Sequence, residues 1–192
     1  MSNISDILAF NEHFVTQKDY EEFRTTRFPD KRMVILTCMD TRLVELLPKA
    51  LNIRNGDAII LKNAGAIVTQ PFGNIMRSLI VAIYELTADE VVVIGHYECG
   101  MTGLDSERII SKSKDQGISE DVISTLRHSG INLSRWLTGF DDVTQSVENS
   151  VDIIRNHPLL PKHIPVHGML IDPETGKLNW LVNGYEELEK RK

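Results

Sequence analysis

The chain has 192 residues and a mass of 21.7 kDa, the length expected of a single domain. Its 42% hydrophobic and 25% charged residues exclude a disordered or fibrous chain. A net charge of -6 makes it a poor partner for phosphate backbones or anionic membrane surfaces, so neither nucleic acid nor membrane is expected as a partner.

The opening ten residues show neither a basic n-region nor a long apolar h-region, and a cytoplasmic protein is expected. Ile4, Ile7, Leu8, Phe10, Phe14 and Val15 recur at helical spacing, with Ser5 or Asp6 as candidate cap. The charged stretch 19–32 reads as a connection. Met33 to Cys38 is a short apolar run rich in β-branched residues, the pattern of a strand covered on both faces. Leu43 to Leu51 reads as a helix interrupted or bent at Pro48. Asn55-Gly56-Asp57 marks a turn into a second strand, Ala58 to Lys62. A glycine-containing loop, 63–73, then leads to a helix capped by Asn74 and running to about Leu86. Leu79 to Tyr84, the densest apolar stretch, falls well short of the ~18 residues a membrane span requires.

Glu90 to His96 is the third strand. Residues 101–156 are helical in pattern, broken at Gly117, Gly130 and Gly139. Ile164 to Ile171 and Leu178 to Val182 follow as strands, joined by the turn 172–176. The tail 186–192 reads as a solvated terminus. Strands separated by helices imply an α/β fold: a mostly parallel central sheet covered by helices, closed by an antiparallel C-terminal hairpin. No repeat or composition break divides the chain, so 1–192 is expected to be one domain.

Both cysteines follow strands. Cys38 ends the first, and Cys99 lies three residues past His96, which ends the third. Ligands of open parallel sheets bind beyond the carboxyl ends of strands where the strand order reverses. If the first and third strands are neighbours with crossovers leaving in opposite directions, Cys38, His96 and Cys99 converge there. Two thiolates and an imidazole suit Zn²⁺, and three protein ligands leave a fourth position open, as in catalytic sites. The plainer alternatives are two buried cysteines acting as small hydrophobes, or a disulfide, which a reducing compartment disfavours.

Asp40 and Arg42 stand two apart where the chain leaves the sheet. They are either a surface ion pair of little consequence or an oriented dyad in which Arg42 holds Asp40 beside the open position. Bidentate Arg–carboxylate geometry would keep Asp40 from becoming a fourth ligand. The cysteine-phosphatase pattern fails, because too few residues separate Cys38 from Arg42. Gly95 to Thr102 is spaced like a phosphate-binding loop but carries Met101 where the lysine belongs.

Cys38-Met-Asp-Thr-Arg42, Asn63-Ala-Gly-Ala66 and Gly95-His-Tyr-Glu-Cys-Gly-Met101, with Pro165 to Gly168 and Asp172 to Gly176, resemble the β-class carbonic anhydrases in order and spacing. The short length resembles the compact branch of bacteria and archaea. The resemblance implies Cys38, His96 and Cys99 as ligands of one Zn²⁺ per chain, with Asp40 and Arg42 as the catalytic dyad. It implies a substrate pocket along the loop Gly65, Ala66, Ile67 and Val68; Ala66 stands where a second glycine is frequent. It also implies a homodimer or multiple of dimers, with residues 1–32 as a helical arm for dimer packing. The activity implied is reversible hydration of carbon dioxide to bicarbonate and a proton, with zinc acidifying its water to supply hydroxide. Two alternatives share the scaffold: hydrolysis of carbon disulfide or carbonyl sulfide, or a catalytically weak, zinc-bound interaction protein.

Overall fold

A computed structural model describes residues 2–190. Its five strands are β1 (Met33–Cys38), β2 (Ala58–Asn63), β3 (Glu90–His96), β4 (Val166–Ile171) and β5 (Leu178–Val182). They form one sheet in the order β2-β1-β3-β4-β5. All pairings are parallel except β4 with β5, the expected hairpin.

β1 and β3 are central because their β-branched residues can be covered on both sides. Along each, alternate side chains enter different layers. Val34, Leu36, Val91 and Val93 pack with Met76 and Leu79 of one helix (Asn74–Tyr84) and Val147, Val151 and Ile154 of another (Val143–Arg155). Ile35, Val92 and Ile94 face the opposite way, onto Leu43 and Leu47 of the helix Leu43–Ala50. In chain order the helices are α1 (Asn3–Gln17), α2 (Leu43–Ala50), α3 (Asn74–Tyr84), α4 (Ser106–Asp115), α5 (Glu120–His128), α6 (Leu133–Leu137), α7 (Val143–Arg155) and α8 (Gly184–Glu189). A smaller cluster, Ile110, Ile123 and Leu133, holds α4, α5 and α6 together.

The chain steps outward from β1 to β2 and returns past β1 to β3. The carboxyl ends of β1 and β3 are therefore the point where crossovers diverge, and both cysteine segments leave the sheet there.

Local boundaries depart from expectation at several places. Ser2, not Ser5 or Asp6, caps α1, its hydroxyl accepting from the Ser5 N–H at 3.3 Å. Gly73 is the cap of α3 and Asn74 its first helical residue, and the helix stops at Tyr84. Pro48 lies within α2 without interrupting it, and its carbonyl accepts from the Ile53 N–H at 2.8 Å. The expected solvated tail is instead a helix as far as Glu189, capped by the Asn183 side chain on the Tyr185 N–H. Residues 191 and 192 of that tail lie outside the described residues. No helix of the described residues is long and apolar enough to cross a membrane.

Candidate metal centre

β1 delivers Cys38 and β3 delivers His96, with Cys99 one turn further on. The two sulfurs are 3.8 Å apart and both cysteines are free and buried. Together with an imidazole nitrogen they form a group whose ligand atoms lie within 4.8 Å of one another. The His96 Nδ1 is 2.8 Å from the Tyr97 carbonyl, which assigns the proton to Nδ1. That leaves Nε2 as the lone-pair nitrogen, buried and without a hydrogen-bond partner. An imidazole fixed through one nitrogen by a backbone carbonyl is how metal-binding histidines are oriented. Two soft sulfurs and this orphaned nitrogen are a donor set that fits Zn²⁺.

The three donors differ in how readily they give up the protons that a metal would displace, Cys38 most readily and Cys99 and His96 less so. A hydrogen bond shared with Cys99 holds the Cys38 thiol down at about 4, and the Gly65 N–H adds a further bond to its sulfur at 3.3 Å. The proton stays on Cys99, whose pKa is pushed up by the same shared bond and by burial. Burial opposes charging of His96, but the Cys38 sulfur and Tyr97 carbonyl outweigh it and the net shift is upward.

Asp40 and Arg42 meet as a bidentate pair. Arg42 Nε donates to Oδ1 at 3.1 Å and Nη2 to Oδ2 at 3.0 Å, and the Arg42 backbone N–H adds a bond to Oδ1 at 2.9 Å. These bonds hold the Asp40 carboxyl at about 2. Its Oδ2 lies 3.7 Å from His96 Nε2, at the edge of the ligand group. Arg42 Nη2 also donates to the Glu98 carbonyl at 3.2 Å, tying the chain after β1 to the chain after β3.

The loop Gly65–Val68 splits into three roles. Gly65 has φ +82°, and its N–H reaches the Cys38 sulfur. Ala66 is buried in the larger core with φ +56°. Ile67 and Val68 line a groove of about 800 Å³ together with Ile131, Trp136 and Phe140. The Val68 N–H is fixed by the Ser150 hydroxyl at 3.1 Å.

Sequence reading missed Phe140 and the Glu98 carbonyl. Phe140 packs against the same cluster as Cys38 and Cys99 yet falls in a segment whose only sequence signal is helical periodicity. None of the other five histidines joins the centre. His167, for example, pairs with Glu90 at the opposite end of β3, its Nε2 3.0 Å from Oε1.

Residues 33–178 match the family described as "Carbonic anhydrase". Over 185 residues, 96% of this chain and 99% of the relative, the sequence is 57% identical to "Putative carbonic anhydrase YtiB" of Bacillus subtilis. It is 33% identical to "Carbon disulfide hydrolase" of Acidithiobacillus thiooxidans over 159 residues, 78% of this chain and 76% of the relative. The crystal structure of a β-carbonic anhydrase from Trichomonas vaginalis superposes with a TM-score of 0.88 at 35% identity, covering 96% of this chain and all of that one. With its mostly parallel sheet, the Cys38, His96 and Cys99 group at the strand ends and these matches along most of its length, the chain belongs to the β-carbonic anhydrase family.

Proposed function

We propose that the chain is a cytoplasmic enzyme that reversibly hydrates carbon dioxide to bicarbonate and a proton at one Zn²⁺ held by Cys38, His96 and Cys99. The observation that carries this reading is the Asp40–Arg42 pair: a carboxylate sits beside a three-donor group yet is held by Arg42. Structural zinc sites are closed by four protein ligands, whereas three leave room for chemistry.

A Zn²⁺ held by Cys38, His96 and Cys99 would supply Lewis acidity, the chemistry that acidifies water at neutral pH. Cys38 and Cys99 bring negative charge that balances the metal. His96 is held in one orientation by the Tyr97 carbonyl. Asp40, ionised at any physiological pH, accepts a hydrogen bond from the attacking water and orients it. Arg42 holds both carboxylate oxygens in place, so that Asp40 would not complete the ligand set. Ile67 and Val68 offer an apolar wall to a neutral, apolar substrate.

The assembly proposed is a homodimer or a multiple of dimers, with 1–32 as the packing arm of a single domain. In support, α1 has no buried residue and leaves Ile4, Ile7, Leu8 and Phe10 exposed, an apolar stripe that a lone chain does not cover. A reducing cytoplasm would leave Cys38 and Cys99 free to bind a metal, as they are in this fold.

A second reading, hydrolysis of carbon disulfide or carbonyl sulfide, is favoured by the 33% identity to a carbon disulfide hydrolase. Turnover of carbon dioxide, carbonyl sulfide and carbon disulfide by one zinc-loaded preparation tests the proposal. Carbon dioxide is expected to be the preferred substrate. Preference for either sulfur compound moves the chain to the second reading.

A further inference from the structure

Phe140 belongs to two surroundings at once. Its ring is half-buried against the cluster that contains Cys38 and Cys99, and the same residue lines the open groove with Ile67, Val68 and Trp136. A Cβ added at Gly65 would lie 2.9 Å from both Phe140 Cε1 and Ile67 Cδ1. The ring and the Ile67 side chain therefore close over the residue whose N–H bonds the Cys38 sulfur.

The backbone of Phe140 is fixed to the chain that leaves Cys99. Its N–H donates to the Met101 carbonyl at 3.1 Å, and its carbonyl accepts from the Gly103 N–H at 2.8 Å. Beside it, a Cβ at Gly139 would fall 1.9 Å from the Met101 oxygen, so only glycine permits this approach. These contacts anchor the ring through the main chain, and truncating the ring leaves them in place.

We infer that Phe140, with Ile67, forms an apolar gate between the groove and the metal centre and limits the width of the molecule that reaches it. The inference rests on the reading of Cys38, His96 and Cys99 as a metal site acting on small neutral molecules. A narrow linear molecule meets only the Phe140 and Ile67 side chains. A wider one must displace an aromatic side chain whose backbone cannot retreat. The gate thus specifies ligand width independently of the chemistry at the metal.

The test uses full-length protein loaded with Co²⁺, whose thiolate absorption reports ligation, titrated with azide and with benzenesulfonamide. Phe140→Ala is expected to tighten benzenesulfonamide at least tenfold while changing azide less than threefold. Phe140→Leu, which keeps an apolar side chain, should fall between, and it serves if the alanine variant fails to fold by circular dichroism. Parallel changes for the two anions, or none, would overturn the gate. Protein that takes up no Co²⁺ overturns the metal reading and the gate with it. Normal uptake and selective anion binding without carbon dioxide turnover would count against the proposed reaction and support the gate.

Discussion

Arg42 grips both carboxylate oxygens of Asp40 at 3.0 and 3.1 Å and uses the same Nη2 to reach the Glu98 carbonyl at 3.2 Å. One guanidinium thereby fixes a carboxylate and bridges the two segments that carry Cys38, His96 and Cys99. Only a planar, multi-donor side chain can make these bonds together. Asp40→Ala should therefore retain zinc while losing at least ~10²-fold in turnover, the scale of a positioned acid–base group. Zinc content by elemental analysis beside carbon dioxide hydration checks this, and parental turnover would remove Asp40 from the chemistry. Arg42→Lys should also lose activity, because an ammonium cannot span both oxygens and the carbonyl.

Cys99→Ala removes one of three donors and leaves two. Zinc content is expected to drop from about one per chain to a small fraction after dialysis, since three-ligand geometry is what holds the ion. Full zinc content in this variant would contradict the ligand assignment.

Gly65→Ala should weaken metal binding without removing a ligand. Its φ of +82° disfavours any side chain, and the added Cβ meets Phe140 and Ile67 at 2.9 Å. The strain is relieved by moving the loop, which costs the N–H bond to the Cys38 sulfur. Competition with a chelator should show faster zinc loss than in the parent protein, and an unchanged rate would separate the loop from the metal site.

Acid stability should depend on Glu90. The contact with His167, reinforced by Tyr185, holds its carboxyl below the ordinary range. A carboxyl lowered in the folded state stabilises fully above its unfolded pKa, and that contribution fades as pH falls through the lower folded value. Glu90→Gln should cost roughly 1–3 kcal/mol at pH 7. The difference from the parent should shrink as pH falls below the ordinary carboxylate range and through the lowered folded value of Glu90. Urea unfolding at several pH values measures both, and a pH-independent difference would exclude the ionic contribution.

The sheet was legible in the sequence where burial on both faces leaves an uninterrupted apolar run. β1 and β3 begin and end where their residues predicted, and their neighbouring ends bring Cys38, His96 and Cys99 together. Features that depend on tertiary partners were not legible. α8 is short and charged, and its first N–H is satisfied by His167 Nδ1 at 3.0 Å, seventeen residues back in the chain. Phe140 reaches the cluster around Cys38 and Cys99 through a bridge to Thr102 that no local periodicity encodes. Capping misplaced the start of α1 because Ser2 and Ser5 are equally good cap residues, and only the fold shows which accepts a backbone N–H.

The most direct test of the central claim is stopped-flow carbon dioxide hydration on protein of known zinc content, from pH 6.5 to 9. Asp40, held at about 2, stays ionised throughout this range. Two thiolates offset the charge of Zn²⁺, so ionisation at the metal should extend into mildly alkaline conditions. Turnover is expected to be rapid, proportional to zinc and rising with pH. A flat profile, or no turnover with about one zinc per chain, would contradict it.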